Sequence, residues 1–293
     1  MLISRRAFVL GSVATPIVVG QRLAAQPRSF DADISAIEKK LGGRIGVAAL
    51  DTGSGKQLAH RGDERFAMCS TFKWVLAAAT YAKIERREAT LEQRLRFSKA
   101  DLLSNSPVSE TFAAAGAVDV ATLCKAVIEV SDNTGANLLL DLNGGPAGLT
   151  RFVRALGDAV TRFDRKEMAL NSNTPGDPRD TTTPHAMAST MTKVLTGNVL
   201  SADMRGRVIQ SLKDCSTGLA RLRAGVPKDW VAGDKTGTGR RGAVNDLLIA
   251  WPPNRAPIIV ACYMSDSAAT TEAASAAHAD VARAVVSSEI LRA

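Results

Sequence analysis

Ser70 and Lys73 lie three residues apart in the segment CSTFK, directly before the apolar run WVLAAATYA. If Ser70 opens a helix, the Lys73 side chain follows on the same face one turn later, within reach of the hydroxyl. A serine hydroxyl becomes a nucleophile when a base takes its proton, and a desolvated lysine near another cation can have its pKa lowered enough to do so. A serine at a helix start also offers a free backbone N–H to an oxyanion. This spacing is common on helix surfaces, so alone it only suggests covalent catalysis by a serine.

Two further motifs carry polar groups suited to the same chemistry. Ser-Asp-Asn occupies 131–133 and Lys-Thr-Gly occupies 235–237, and each occurs once. Taken singly, the first is also a good turn or helix cap, and the second is an ordinary strand end. Lys235 would supply the second cation beside Lys73. Three single-copy motifs that each stand where a helix or strand begins or ends predict one shared catalytic site.

Together the motifs resemble the signature of the class A serine β-lactamases, which the related penicillin-binding proteins share in part. The resemblance covers essentially the whole chain after residue 25 and includes SDNTGANLLL, NGGP and DKTGTG. It also includes the family's Glu-x-x-Leu-Asn loop, present as Glu167, Leu170 and Asn171 within DRKEMALN. The resemblance implies hydrolysis of the β-lactam amide bond of penicillin- and cephalosporin-type antibiotics, and hence antibiotic resistance. It implies no cofactor and no metal.

The resemblance also assigns a role to each site residue. Ser70 would form the acyl-enzyme, and Glu167 would activate the water that hydrolyses it. Ser131 would pass a proton to the leaving ring nitrogen, and the backbone N–H groups of Ser70 and Thr238 would form the oxyanion hole. Whether Lys73 or Glu167 takes the first proton from Ser70 stays open at this stage. Substrate binding would fall to Asn105, Asn133, Asn171, Arg221, Lys235, Thr236, Gly237 and Thr238.

Three positions depart from the usual family pattern. Where many members carry an arginine on the strand after Lys-Thr-Gly, this chain has Val244. Arg221 falls where other members supply that guanidinium from a different segment, so the resemblance implies that Arg221 binds the substrate carboxylate, which a planar guanidinium fork suits. Asn105 stands where the family usually places an aromatic side chain beside the substrate, which predicts a shifted substrate profile. Cys69 matches members that form a disulfide, but the partner position is Gly239, so no such bridge can form. Buried free thiols are expected for all four cysteines.

Strand and helix patterns indicate how these residues are positioned. The segment GRIGVAALDTGSGKQLAHRG predicts a hairpin, and WVAGDKTGTG, AVNDLLIAWPP and APIIVACYMS predict three successive strands. Strands near both chain ends imply an α/β fold, in which a mainly antiparallel sheet is formed from both ends and flanked by helices. The helical stretch between them is expected to form an all-helical domain. The active site is expected in the cleft between the sheet domain and the all-helical domain. Helices are predicted at 30–41, 185–195, 201–212 and 271–291, and within the mainly helical stretch 71–149.

The expected domain division follows from this pattern. Residues 1–25 form a signal peptide, 26–65 and 214–293 form the α/β domain, and 66–213 form the all-α domain. The all-α domain includes the glutamate-bearing loop 162–180, which is too long and too irregular for a simple connector. The resemblance implies that Arg165 and Asp180 pair to close the neck of this loop.

The N-terminus has the pattern of an export signal. Arg5 and Arg6 form a basic start, residues 7–20 are a short apolar stretch, and Ala24 and Ala25 offer a cleavage site. SRRAFVL resembles a twin-arginine signal, and an ordinary secretory signal is the alternative. Fourteen residues are too few to span a bilayer as a helix, so an exported, periplasmic enzyme without a membrane anchor is expected. Residues 1–25 hold three arginines and no acid, so the formal charge of +8 becomes +5 once they are removed.

Several function classes are disfavoured. The lysines and arginines are scattered, with no basic run interleaved with aromatics, which argues against nucleic-acid binding. The chain has three histidines and no G-x-S-x-G, H-x-H or H-E-x-x-H, which argues against a Ser-His-Asp hydrolase and against zinc. A monomer acting on small-molecule β-lactams is expected. A D-alanyl-D-alanine peptidase and a non-catalytic β-lactam sensor remain alternatives, both disfavoured by Glu167 and Asn171.

Overall fold

The computed structural model describes residues 29–291, so the signal peptide expected at 1–25 lies outside the described residues. No helix in this range is long and apolar enough to cross a membrane. The α-helices are α1 (Phe30–Leu41), α2 (Phe72–Glu85), α3 (Pro107–Thr111), α4 (Val120–Glu129), α5 (Asn133–Leu142), α6 (Gly145–Ala155), α7 (Pro184–Thr196), α8 (Ala202–Lys213) and α9 (Thr271–Ser287). The strands are β1 (Arg44–Asp51), β2 (Gln57–His60), β3 (Phe66–Ala67), β4 (Arg94–Arg96), β5 (Ala117–Asp119), β6 (Thr181–Thr182), β7 (Val231–Thr238), β8 (Val244–Trp251) and β9 (Ile258–Ser265).

A five-stranded antiparallel sheet in the order β2-β1-β9-β8-β7 lies at the centre of the fold. Strand β1 pairs with β9, so that Val47 lies opposite Cys262. Strand β7 pairs with β8, so that Thr238 lies opposite Val244. The sheet therefore joins strands from both ends of the chain, and the predicted fold class is confirmed.

Both faces of the sheet are covered by helices. Successive side chains of a strand point to opposite faces. Along β8, Leu247 and Ile249 accordingly pack into the core that contains Trp74 of α2, whereas Leu248 packs with residues of α1 and α9. Burial on both faces explains why the central strands have continuous apolar sequences instead of an alternating pattern.

Helix α2 is a buried helix that carries Lys73 and directly follows the candidate nucleophile Ser70. Its residues from Phe72 to Ala82 are all buried, and small side chains at 77–79 allow neighbouring helices to approach closely. A 3₁₀ turn, Cys69–Thr71, precedes the helix, so Ser70 lies in the turn that leads into α2. Lys73 is fully buried one turn further on. Packing around α2 therefore fixes the directions of both side chains.

Some elements differ from the sequence prediction. The strand pairs β3–β6 and β4–β5 were not predicted, because strands of two or three residues are too short to show an alternating pattern. The helix predicted at 271–291 is too long: α9 ends at Ser287, the backbone is extended at Ser288, and a separate 3₁₀ turn follows at Glu289–Leu291.

Candidate active site

The Glu167 carboxylate lies between the Ser70 hydroxyl and the Lys73 ammonium group. The Ser70 hydroxyl donates to Glu167 Oε1 at 3.3 Å, and Lys73 Nζ lies 3.0 Å from the same oxygen. The side chains of Lys73 and Glu167 are both fully buried. The sequence predicted that Lys73 lies within reach of Ser70. In the structure both groups contact the same oxygen, Glu167 Oε1.

Lys73 also links the Ser70 turn to the Ser-Asp-Asn segment. Its ammonium group donates to the Ser131 carbonyl oxygen at 2.8 Å, to Ser131 Oγ at 3.3 Å and to Asn133 Oδ1 at 2.5 Å. Lys235, from β7, donates to the same Ser131 Oγ at 3.2 Å and to the Thr236 carbonyl oxygen at 2.9 Å. The Ser131 hydroxyl is therefore held between two buried lysines from different parts of the chain.

Burial determines how these lysines titrate. The pKa of Lys73 is lowered by burial, and the nearby Glu167 carboxylate opposes that shift. Burial likewise lowers the pKa of Lys235 to about 8, and the positive charge of Lys73 contributes to that lowering. Burial is therefore the largest cause at both lysines, in line with the expectation for a desolvated lysine, and repulsion between the two ammonium groups adds to it at Lys235.

Glu167 is held in place by the neck of its loop and by helix α5. Asp180 Oδ2 accepts from Arg165 Nε at 2.5 Å, while Asp180 Oδ1 accepts backbone N–H groups of Asp164 and Arg165 at 2.8 and 3.0 Å. Asn137 of α5 accepts the Glu167 N–H at 2.9 Å and donates to the Glu167 carbonyl oxygen at 3.1 Å. The loop that bears Glu167 is thus fixed both at its neck and at the glutamate itself.

Asn137 and Asp132 are positioning residues to which the sequence analysis assigned no role, although Asp132 belongs to the Ser-Asp-Asn motif. Asp132 accepts from the backbone N–H groups of Val108, Ser109 and Gly135, and its Oδ1 also accepts the Ser109 hydroxyl at 2.7 Å. It thereby ties the Ser-Asp-Asn segment to α3. The signal for Asn137 was available in SDNTGAN, since it lies one helical turn after Asn133. Its partner thirty residues away was not visible in the sequence.

Asn171 leaves one polar atom unused beside Glu167. Its Nδ2 donates to Glu167 Oε2 at 2.7 Å. Its Oδ1 is buried and has no hydrogen-bond partner among the described residues. Buried polar groups are normally satisfied, so this oxygen marks a place where a small donor such as water fits.

Arg221 reaches the end of β7 from outside the sheet. It is buried, and its Nη1 donates to the carbonyl oxygens of Gly237 and Asn245 at 3.1 and 2.6 Å. Its Nη2 donates to Thr238 Oγ1 at 2.8 Å. Since Val244 lies directly opposite Thr238 in the β7–β8 register, the guanidinium is adjacent to the strand position at which the family arginine is missing.

Asn105 is exposed and contacts the Ser-Asp-Asn segment. Its Nδ2 donates to the Ser131 carbonyl oxygen at 3.0 Å, and its own carbonyl oxygen accepts the Asn133 N–H at 3.0 Å. The Asn133 side chain is fixed as well, because its Nδ2 donates to the Ser104 carbonyl oxygen at 2.7 Å. Asn105 therefore supports Ser131 and Asn133.

The four cysteines are free and buried, as the sequence predicted. Burial raises the pKa of the Cys69 thiol to about 12, so it stays protonated. A Cβ atom added to Gly239 would come within 2.5 Å of Cys69 Sγ and 2.8 Å of the Asn171 carbonyl oxygen. The close approach of these segments requires glycine at 239.

Histidines and metal-ligand clusters play no part in this arrangement. Within residues 29–291, no group of three or more His, Cys, Asp or Glu residues is placed to hold a metal ion. His278 is buried against the Val244 carbonyl oxygen, His60 lies beside Asp31, and His185 lies beside Asp63. The chemistry available at the site is that of hydroxyls, amines, a carboxylate and backbone N–H groups.

Comparison with known proteins identifies a set of similar chains. The model of the Beta-lactamase enzyme family matches residues 29–288. The Escherichia coli protein β-lactamase Toho-1 is 42% identical over 262 residues, covering 89% of this chain and 90% of its own. The Klebsiella oxytoca protein carbapenem-hydrolyzing β-lactamase KPC is 43% identical over 264 residues, covering 90% and 89%. A solved structure of an ancestral (GNCA) β-lactamase class A superposes with a TM-score of 0.86 at 50% identity, over 88% of this chain and 99% of that one.

Proposed function

Because the chain belongs to the class A β-lactamases, enzymes that hydrolyse β-lactam antibiotics and so confer resistance, we propose that it acts through a Ser70 acyl-enzyme that a Glu167-activated water releases. One observation carries this proposal. The buried Glu167 carboxylate contacts the Ser70 hydroxyl and the Lys73 ammonium group, and it also accepts from Asn171. A single carboxylate is thus next to both the nucleophile and the water position.

In the acylation step, the Ser70 Oγ attacks the β-lactam carbonyl carbon. Its proton goes to Glu167, because the hydroxyl donates to that carboxylate whereas Lys73 Nζ faces four acceptor atoms and is placed as a charged donor. The backbone N–H groups of Ser70 and Thr238 stabilise the oxyanion. As the C–N bond breaks, Ser131 gives its proton to the ring nitrogen and takes one from Lys73, which donates to its oxygen. Lys73 then takes back the proton that Glu167 received from Ser70, since the two groups are in contact, so Glu167 enters deacylation as a carboxylate.

In the deacylation step, a water between Glu167 and Asn171 attacks the ester carbonyl carbon. Glu167 takes the proton of the water, and Asn171 Oδ1 accepts the second hydrogen. The C–Oγ bond breaks and Ser70 recovers its proton from Glu167, which leaves the enzyme unchanged. The closed neck of the loop supports this step because it keeps Glu167 rigid over the nucleophile.

Substrate recognition is assigned to the end of β7 and to the Ser-Asp-Asn segment. The carboxylate of the substrate is bound by Lys235, Thr236, Thr238 and Arg221. One N–H of Asn133 Nδ2 is used by Ser104, and the second is available to the acyl-amide side chain of the drug. The remaining wall of the substrate cleft is formed by Asn105, Asn171 and Gly237.

Replacing Arg221 by Ala is expected to raise the KM for benzylpenicillin roughly 10- to 100-fold, because a charged hydrogen bond to the substrate carboxylate is lost. Steady-state kinetics check this, with the melting temperature recorded because Arg221 is buried. Arg221→Lys keeps the charge but lacks the planar fork, so only partial recovery is expected. Exposed Arg207→Ala is the matched control. Unchanged KM in a folded Arg221→Ala enzyme would assign the carboxylate to another group.

The pH profile of kcat/KM for benzylpenicillin is expected to fall above about pH 8, by roughly tenfold per pH unit. Lys235 has a pKa lowered to about 8, so it is charged below that pH and binds the carboxylate, and it is neutral above it. Lys235→Arg should move this alkaline limb beyond pH 10, since arginine stays protonated. An unchanged limb in Lys235→Arg would mean that a different group titrates there.

A turnover count separates hydrolysis from the two related activities. Incubated with excess nitrocefin, the protein is expected to process many equivalents at a steady rate. A D-alanyl-D-alanine peptidase or a β-lactam sensor would show one stoichiometric burst, because it stays acylated. A burst without steady hydrolysis would therefore overturn the proposed deacylation.

The proposal extends to the organisation and location of the protein. We assign the α/β domain to 26–65 and 214–293 and a second, mainly helical domain to 66–213, with the catalytic residues in the cleft between them. The second domain was expected to be all-α, but it also contains the short strands β3 to β6. Residues 1–25 are proposed to direct twin-arginine export to the periplasm. The mature enzyme is proposed to be a monomer that binds small-molecule β-lactams and neither nucleic acid nor a membrane.

A further inference from the structure

Asp246 is a fully buried acid on strand β8, next to the strand that carries the Lys-Thr-Gly motif. It lies directly opposite Thr236 in the β7–β8 register, and two residues away Val244 lies opposite Thr238. Residues opposite each other in an antiparallel pair have side chains on the same face of the sheet. The Asp246 carboxyl group therefore lies on the sheet face that Thr236 and Thr238 also use.

The Asp246 carboxyl group holds the backbone next to Arg221. Its Oδ2 accepts the Leu222 N–H at 3.0 Å. Leu222 directly follows Arg221 and opens the 3₁₀ turn Leu222–Gly225. In the described part of the chain, this is the one hydrogen bond that the backbone of residues 218–225 makes to the sheet. Asp246 thus anchors to β8 the segment from which the Arg221 side chain extends.

The Arg221 side chain is fixed at its other end by the strands. It donates to the carbonyl oxygens of Gly237 and Asn245 and to Thr238 Oγ1. These bonds use three of the five guanidinium N–H groups, and the other two have no hydrogen-bond partner among residues 29–291. Since the guanidinium is held between the strand ends and its own backbone, the position of that backbone determines where the two remaining N–H groups point.

We propose that Asp246 is a positioning residue for substrate binding: by accepting the Leu222 N–H, it directs the two remaining N–H groups of Arg221 toward the carboxylate of the β-lactam. This inference rests on the proposed role of Arg221. Asp246 does not contact the substrate and acts through one peptide unit. An anchored guanidinium loses less freedom when it binds a carboxylate, so the anchor increases affinity.

The positioning role needs a hydrogen-bond acceptor and not a negative charge. Burial and the neighbouring Asp234 raise the pKa of Asp246. Its Oδ1 has no hydrogen-bond partner among the described residues, and a proton on Oδ1 leaves Oδ2 able to accept. Asparagine offers the same acceptor without the charge. It should therefore replace Asp246, whereas alanine should not.

The test compares benzylpenicillin with its methyl ester, which lacks the carboxylate. Asp246→Ala is expected to raise the KM for benzylpenicillin roughly 3- to 10-fold, while kcat changes less than about twofold. The change is smaller than for Arg221→Ala because the guanidinium is displaced and not removed. For the methyl ester, kcat/KM should stay at the parent value. Asp246→Asn should keep the parent KM for benzylpenicillin, and so should the matched control Asp203→Ala, which removes an exposed acid from α8.

A double variant shows whether Asp246 acts through Arg221. In the Arg221→Ala background, Asp246→Ala should raise the KM no further. A further rise there, an equal loss for the methyl ester, or a raised KM in Asp246→Asn would overturn the positioning role. If Asp246→Ala does not fold, Asp246→Val carries the same comparisons, because a β-branched side chain suits a buried strand and accepts no hydrogen bond.

The same series of variants separates the positioning role from the proposed function. A raised KM in Arg221→Ala together with an unchanged KM in folded Asp246→Ala would overturn the positioning role alone. An unchanged KM in folded Arg221→Ala would overturn both the carboxylate-binding role of Arg221 and the positioning role of Asp246. A raised KM in both single variants, with no further rise in the double variant, supports both.

Discussion

Glu167→Gln is expected to acylate with benzylpenicillin and then stall, with steady turnover reduced roughly 10³- to 10⁴-fold. Glutamine keeps the shape of the side chain and its contact with Asn171 but cannot take a proton from water. Acylation is expected to persist because Lys73 can replace Glu167 as the base. The carboxylate is what raises the Lys73 pKa against the effect of burial, so its removal lowers that pKa further and makes neutral Lys73 available as a base. Stopped-flow kinetics should therefore show a burst of one equivalent followed by a very slow phase.

The control for this variant is Glu92→Gln, at an exposed position remote from the cleft. It should hydrolyse benzylpenicillin at the parent rate. Normal turnover by Glu167→Gln would mean that another group activates the water, and the assignment of the deacylation base would be wrong. Loss of the burst together with turnover would make Glu167 indispensable for acylation too, and would exclude Lys73 as a substitute base.

Ser70→Ala is expected to abolish hydrolysis, with kcat reduced roughly 10⁶-fold, because no other group can form the acyl-enzyme. The protein should still fold. Ser70 is only partly buried, and its side chain contributes one long hydrogen bond, at 3.3 Å. Binding of penicillin should survive as a non-covalent complex, since Lys235, Thr238 and Arg221 are untouched. Steady-state kinetics check the loss of hydrolysis, a melting curve checks that the variant folds, and a binding isotherm checks that penicillin still binds.

Ser54→Ala, in the exposed turn between β1 and β2, is the matched control and should retain full activity. Residual turnover in Ser70→Ala above about 1% of the parent rate would contradict a serine nucleophile at this position.

Local sequence patterns predicted the parts of the fold that depend on long periodic segments. Strands β1, β8 and β9 were visible as mainly apolar runs next to Gly or Pro, whereas the more polar β2 and β7 were visible from the Gly-containing turns beside them. Helix α1 was visible because charged residues lie opposite Phe30 and Ile34. The four short strands were missed because two or three residues carry no period. The length of α9 was overestimated because Ser288 interrupts an otherwise helical composition.

The candidate site was visible in the sequence only through its motifs. Ser70 and Lys73 are close in the chain, and the motif order suggested that Ser131 and Lys235 join them. The contact of Asn137 with Glu167 could not be seen, because tertiary packing alone brings these residues together. The same holds for the lysine pKa values. The motifs only suggest that Lys73 and Lys235 are close, and burial, which dominates both shifts, is a property of the folded chain.

The most direct test of the account is to locate the covalent adduct that Glu167→Gln accumulates with benzylpenicillin. After quenching and digestion, peptide mapping by mass spectrometry should find one penicilloyl group per protein, on Ser70 within the peptide that contains CSTFK. An adduct on any other residue, or a variant that stops turning over without forming an adduct, would contradict a Ser70 acyl-enzyme released by Glu167.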